Sequence, residues 1–91
     1  MPRPKKCRKM CCKPQTNYFK PRGIPINMLT EIVLSRDEFD ALKLSDIDKL
    51  SQEDAAIHLG ISRQTYGRIL ISAHQKVALA IVNGLALKIE H

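Results

Sequence analysis

LSQEDAAIHLGISRQTYGRIL, residues 50–70, has the spacing of two short helices joined by a tight turn. Ser51 precedes the first of these helices, and Asp54 follows three residues later, as in a capping box. Gly60 supplies the turn, because glycine adopts a left-handed backbone conformation without steric cost. Ser62 is the predicted cap of the second helix. Apolar residues recur at helical spacing on both sides of the turn, which predicts a helix-turn-helix: Ala55, Ala56, Leu59, Tyr66, Ile69, Leu70.

The second helix carries polar side chains on the face opposite its apolar residues. Arg63, Gln64 and Arg68 therefore lie outside the predicted core. Arginine forms paired hydrogen bonds with guanine, and glutamine does so with adenine. The hydroxyls of Ser62 and Thr65, with the free amides at the helix start, suit phosphate oxygens. The pattern predicts that these five residues contact the major groove of double-stranded DNA; the alternative is an ordinary helical hairpin with a solvated face.

Positive charge is concentrated at the start of the chain. Eight cations and no acid precede residue 23, whereas the remainder has seven basic and nine acidic residues, for a net charge of +6. We interpret residues 1–22 as a basic, cysteine-containing arm and residues 23–91 as the helix-turn-helix domain. The alternative is a solubilising tail. The cations predicted to contact DNA from the arm are Arg3, Lys5, Lys6, Arg8 and Lys9.

The remaining chain predicts a mainly α fold with three helices. A helix runs from Arg36 to about Asp48, with Ser35 and Glu38 as its capping box and Phe39, Leu42 and Ile47 on its inner face. The last helix runs from Arg63 to about Val82 and ends at Asn83–Gly84. Two short β segments are also predicted, near 31–34 and 85–89, and the second could pair with the first.

The C-terminal end of the last helix is apolar on all sides, and a three-helix unit cannot cover it. We therefore predict that the end of this helix and the tail after it form a dimer interface, and we expect a homodimer with two-fold symmetry. The residues predicted at its interface are Val77, Leu79, Ile81, Val82, Leu85 and Leu87.

Two resemblances narrow the function. DEFDALKLSDIDKLSQEDAAIHLGISRQTYGRIL resembles the C-terminal DNA-binding region of bacterial sigma factors over residues 35–77, although Lys49 stands where that pattern usually has glycine. This resemblance places Arg63, Gln64, Thr65 and Arg68 on the recognition helix. MPRPKKCRK, YFKPRGIP and SRQTYGRIL together resemble a family of short, uncharacterised prokaryotic proteins regarded as DNA-binding. Both resemblances imply a transcriptional regulator.

Cys7, Cys11 and Cys12 lie within the basic arm. Thiolates in this number suit zinc or an iron–sulfur cluster, and neighbouring cations lower thiol pKa values. A metal- or thiol-responsive regulator is therefore one alternative, although adjacent cysteines rarely reach one metal and we expect no cofactor.

No catalytic constellation is apparent, so we expect no enzyme. Two further alternatives are a protein-interaction module that contacts transcription machinery such as RNA polymerase without binding DNA, and a non-specific RNA-binding protein. The longest apolar run is six residues, Val77–Val82, and no secretory signal is apparent. We therefore expect a cytoplasmic protein without a membrane partner.

Overall fold

A computed structural model describes residues 17–90, with the side chain of Ile26 excepted. The fold is mainly helical, with a three-stranded sheet in the order β1-β3-β2. Its elements in chain order are β1 (Tyr18–Phe19), a 3-10 turn (Ile26–Met28), β2 (Glu31–Leu34), α1 (Arg36–Leu42), a π-helical segment (Lys43–Ile47), α2 (Gln52–Leu59), α3 (Arg63–Asn83) and β3 (Ala86–Ile89).

The predicted helix ends are confirmed by the hydrogen bonds of their caps. Ser35 and Glu38 form both halves of a capping box. The Ser51 hydroxyl accepts a hydrogen bond from the Asp54 amide at 3.1 Å, which satisfies a donor that the helix itself leaves unpaired. Gly84 ends α3 with φ +67° in the left-handed region, so the chain reverses there and enters β3.

Tyr66 lies at the centre of the first core cluster and is fully buried. Its hydroxyl donates to the Ala41 carbonyl oxygen at 3.0 Å. Because a phenol has one hydrogen, the Ser45 hydroxyl, 2.5 Å away, donates to Tyr66. The phenol thus joins α3 to α1 and the π-helical segment. The apolar residues around it come from α1, the π-helical segment, α2 and α3: Ala41, Leu44, Ala55, Ala56, Leu70.

The helix predicted from Arg36 to about Asp48 changes register after Leu42. A π turn inserts a residue, which shifts the phase of the apolar face. Leu44 becomes buried, whereas Ile47 is 72% exposed. The placement of Ile47 on the inner face is therefore wrong.

The predicted β segments near 31–34 and 85–89 are confirmed as β2 and β3, which pair in parallel with Glu31 opposite Ala86. β3 is the central strand, because β1 pairs with its other edge, antiparallel, with Tyr18 opposite Lys88. Tyr18–Phe19, which lie within residues 1–22, are therefore part of the sheet. A two-residue strand whose partner is about 70 positions away has no local sequence signal.

A second core cluster packs the sheet against α3. Leu34, Ala73 and Ile89 are buried there, with Leu87 half-buried beside them. β3 starts next to the end of α3, and Ile89 near its far end lies in the same buried cluster as Ala73. The strand therefore runs back along the helix. The C-terminal tail is thus covered largely by its own chain.

Glu38 is a buried carboxylate that connects three elements through a network of hydrogen bonds. Its carboxylate accepts hydrogen bonds from the Ser35 amide at 2.8 Å, the Ser72 hydroxyl at 2.5 Å and the Lys76 ammonium at 2.8 Å. Lys76 also donates to the Val33 carbonyl oxygen at 2.8 Å. Burial raises the pKa of Glu38, but these hydrogen bonds and the Lys76 charge outweigh it and hold the pKa below its usual value. The charged carboxylate therefore fixes β2, α1 and α3 relative to one another.

We expect Tyr66→Phe to lower the free energy of unfolding by about 1–3 kcal/mol, because the buried Ala41 carbonyl loses its hydrogen bond without gaining water and the half-buried Ser45 hydroxyl loses its acceptor. Tyr18→Phe is the matched control, since the Tyr18 hydroxyl bonds Glu31 at an exposed site and its loss has a smaller effect. Urea denaturation of both variants measures the difference. Equal losses for the two variants would contradict the role of the buried phenol.

Candidate nucleic-acid interface

The start of α3 is held by a tight turn. Gly60 ends α2 with φ +73°, in the left-handed region where glycine has no steric penalty. Ile61 is half-buried against the first core cluster. The Ser62 hydroxyl then accepts the Thr65 amide at 3.1 Å. These contacts define where α3 begins and which way its first turn faces.

The two hydroxyls of this first turn differ in what they can still donate. Ser62 uses its hydrogen in a bond to the Thr65 hydroxyl oxygen at 2.9 Å. Thr65 accepts that bond and keeps its own hydrogen for an external acceptor such as a phosphate oxygen. Both hydroxyls were predicted to contact phosphate, but in this geometry only Thr65 is free to donate.

Arg63, Gln64 and Arg68 are exposed on α3, opposite the buried Tyr66 and Leu70. Within residues 17–90, no salt bridge engages either arginine. Three other cations of residues 17–90 are paired with carboxylates, as Arg36–Asp40, Lys43–Asp48 and Lys76–Glu38. The beginning of α3 therefore presents two cations and an amide to solvent on a helix whose other face is fixed in the core.

Gly67 lies one turn after Arg63, and the side chain of Gln52 from α2 lies against it. A Cβ added at Gly67 would lie 3.3 Å from the side-chain oxygen of Gln52, the first residue of α2. Gln52 thus covers the glycine close to the face that carries Arg63. Sequence reasoning missed Gln52; the available signal was a glycine inside a helix, which costs about 1 kcal/mol and so implies a close approach.

Lys49 adopts φ +60°, the only positive φ outside glycine within residues 17–90. The left-handed region favours glycine, which agrees with the glycine expected there from the sigma-factor pattern. In this chain the residue with that conformation is lysine. Its exposed side chain adds a cation three residues before Gln52, and the sequence analysis did not include it in the site.

The predicted site residues of the arm, Arg3, Lys5, Lys6, Arg8 and Lys9, and the cysteines Cys7, Cys11 and Cys12, lie outside the described residues. Within residues 17–90, no group of three or more His, Cys, Asp or Glu side chains is placed to hold a metal ion. No helix in the same part of the chain has the length and apolar character needed to cross a membrane.

The residues predicted at a dimer interface lie at the opposite end of α3. Leu79 and Val82 are exposed, while Leu87 also packs against the second core cluster. An apolar groove of about 440 Å³ lies between β1 and the end of α3. Four of the six predicted interface residues line it: Val77, Ile81, Leu85, Leu87. The two candidate surfaces thus occupy separate ends of one helix.

A family model described as "Protein of unknown function DUF134" matches residues 1–91. The chain belongs to this family. It is 55% identical over 89 residues to a UPF0251 protein of Shewanella oneidensis, covering 98% of this chain and 91% of the relative. UPF0251 proteins of Desulfosudis oleivorans and Thermoanaerobacter sp. strain X514 are 49% and 47% identical, covering 99% of this chain in each case and 65% and 80% of the relatives. No solved structure matches the chain.

The resemblance to an uncharacterised prokaryotic family, expected from the three quoted motifs, is confirmed by these matches. The family description names no activity and no ligand.

We expect Gly67→Ala to raise the free energy of unfolding by about 0.5–1 kcal/mol, because alanine removes the helix penalty of glycine. The new methyl group meets the end of an exposed, flexible Gln52 side chain, which can move by a few tenths of an ångström. Gly84→Ala is the control, and it should destabilise the protein because φ there is +67°. Thermal denaturation that showed a loss for Gly67→Ala would mean that Gln52 is held rigidly.

Proposed function

We propose that this protein is a sequence-specific DNA-binding protein, a transcriptional regulator that places the start of α3 in the major groove. The observation that carries the proposal is the exposed first part of α3, where Arg63, Gln64 and Arg68 have no carboxylate partner within residues 17–90. Arginine and glutamine there match the hydrogen-bonding edges of guanine and adenine.

The packing of α2 and α3 supports assignment as a helix-turn-helix. The turn at Gly60 is left-handed, and the buried alanines Ala55 and Ala56 let the helices approach closely. On the buried face of α3, Tyr66 holds the helix in place through its two hydrogen bonds. A recognition helix contacts bases mainly with its N-terminal residues, and in this chain those residues protrude from a rigid support.

The charge distribution supports separate roles for residues 1–16 in affinity and for the start of α3 in recognition. Residues 17–90 contain nine basic and nine acidic side chains, so the net charge of +6 resides in residues 1–16. Non-specific affinity for DNA comes chiefly from cations that neutralise phosphates. On this proposal the arm supplies most of that affinity, while the start of α3 selects the sequence.

The residues that precede Asn17 can reach the proposed DNA surface. The Ile89 amide donates to the Asn17 carbonyl at 2.8 Å, and Ile89 packs at the level of Ala73. The chain before Asn17 therefore leaves the sheet near the middle of α3. Ala73 is about 17 Å from Ser62 along the helix axis, and sixteen residues can span at most about 55 Å. The arm is long enough to reach DNA bound at the start of α3.

We expect Arg63→Ala to cost about 1–3 kcal/mol of affinity for the preferred DNA sequence and to relax selectivity at one base pair. Selection of bound sequences from a random DNA pool identifies the preferred site, and titration at fixed salt measures the loss. Lys88→Ala is the control, since Lys88 is an exposed cation of β3. A parent protein that selects no sequence, or an Arg63→Ala variant that selects the same sequence with equal affinity, would refute major-groove recognition by α3.

Replacement of Arg3, Lys5, Lys6, Arg8 and Lys9 by glutamine should weaken binding to all DNA sequences alike. Each phosphate contact that is lost should reduce the slope of log affinity against log salt concentration by about 0.9. Binding isotherms at several salt concentrations measure this slope for the parent and the variant. An unchanged slope would exclude the arm from contact with phosphates.

A further inference from the structure

The C-terminal end of α3 and the adjoining turn form an apolar surface without charge. From Val77 to Leu87 no residue is charged. The groove in this surface is walled by β1 on one side and by α3 and the turn on the other, with Phe19 and Pro21 facing Val77, Ala80 and Leu85. We call the groove, together with the exposed side chains beside it, the apolar end surface.

Several side chains of the apolar end surface protrude into solvent. Ile81 is 75% exposed and Val82 is 79% exposed, and Phe19 and Leu79 are about half exposed. With the groove wall they offer apolar area on the order of several hundred Å², the size at which a patch marks an interaction site.

The charges nearest to this surface do not point into it. Lys20 lines the groove, but its ammonium donates to the carbonyl oxygens of Ile24 at 3.0 Å and Pro21 at 3.4 Å. Lys20 is the only charged side chain among the described residues that line the groove, and the rest of the lining is uncharged. The chemistry of the surface therefore suits an uncharged, apolar partner surface.

The basic arm is a poor partner for this surface because of its charge. Residues 1–16 carry six cations, which an apolar groove would desolvate at a high cost.

We propose that a second copy of this chain covers the apolar end surface. The surface is self-complementary, because Ile81 and Val82 form a ridge directly beside a groove of matching apolar character. A two-fold axis lets the ridge of each copy enter the groove of the other, and both copies then bury the same residues. A stable interface needs about 800 Å² on each partner. The dimer approaches this area only if it buries the whole apolar end surface of each copy.

The proposed dimer leaves the candidate DNA surface free. Ile81 is 18 residues after Arg63, or about 27 Å along the axis of α3. Each copy therefore keeps the start of its α3 exposed, and dimerisation does not depend on DNA. The dimer can be tested in the absence of DNA, so its failure and the failure of DNA recognition are separate results.

Sedimentation of the full chain in reducing buffer, from about 1 to 100 µM, tests the proposal at concentrations where moderate dimers assemble. The reductant excludes disulfides between copies. We expect a mass twice that of the 10.3 kDa chain. Ile81→Glu should weaken dimerisation by about 100-fold or more, because a charge would be buried at the centre of the interface.

The matched control is Ile57→Glu on α2, since Ile57 is 76% exposed and lies outside the groove. Circular dichroism checks the fold of each variant, and Val82→Glu replaces Ile81→Glu if the latter unfolds. Dimeric Ile57→Glu with monomeric Ile81→Glu supports the proposal. A monomeric parent at all concentrations, a dimer unaffected by Ile81→Glu, or equal dissociation by Ile57→Glu would overturn it. A monomeric parent that binds an apolar dye through Ile81 would overturn it in favour of a small apolar ligand.

Discussion

The buried hydroxyl of Tyr66 is the interaction on which the arrangement of the helices depends. A phenol without water must find partners inside the protein, and its partners here are the Ala41 carbonyl and the Ser45 hydroxyl. Both lie where the first helix passes from α to π geometry, next to Leu44. The hydrogen bonds therefore set the rotation of α3 about its own axis relative to α1. That rotation determines which side of α3 faces solvent, and so which side chains can reach a partner.

The central position of β3 has a comparable effect at the other end of the molecule. β3 receives β1 on one edge and β2 on the other, so the segment before the helices and the segment after them meet in one sheet. Ile89 and Leu34 bury this sheet against Ala73 of α3. The same pairing fixes where the chain emerges at Asn17.

α3 is long enough to separate two kinds of chemistry. Its first turns present arginine and glutamine that have no carboxylate partner within residues 17–90, which suits the edges of bases and phosphate oxygens. Its last turns are uncharged and apolar, which suits contact with a similar surface. The buried residues between them, including Leu70 and Ala73, hold the helix in both core clusters. A single rigid helix can therefore serve DNA recognition and self-association without either surface obstructing the other.

Much of the local structure followed from the sequence because its causes are local. The caps at Ser35, Ser51 and Ser62 depend on side chains within three residues, and the stops at Gly60 and Gly84 depend on backbone freedom. The exposure of Arg63 followed from the helical spacing of its neighbours. Family membership also followed from three short motifs.

The tertiary structure alone decided features that depend on distant partners. Tyr18 became a strand residue because β3 offers it an edge, and Ile47 became exposed because the π turn beside the Tyr66 phenol shifts the helical phase. Gln52 joined the candidate site because folding brings its side chain against Gly67 of α3. Hydrophobic periodicity records which face of an element is buried, but it contains no information on which distant residue buries it. Those pairings exist only once the chain has folded.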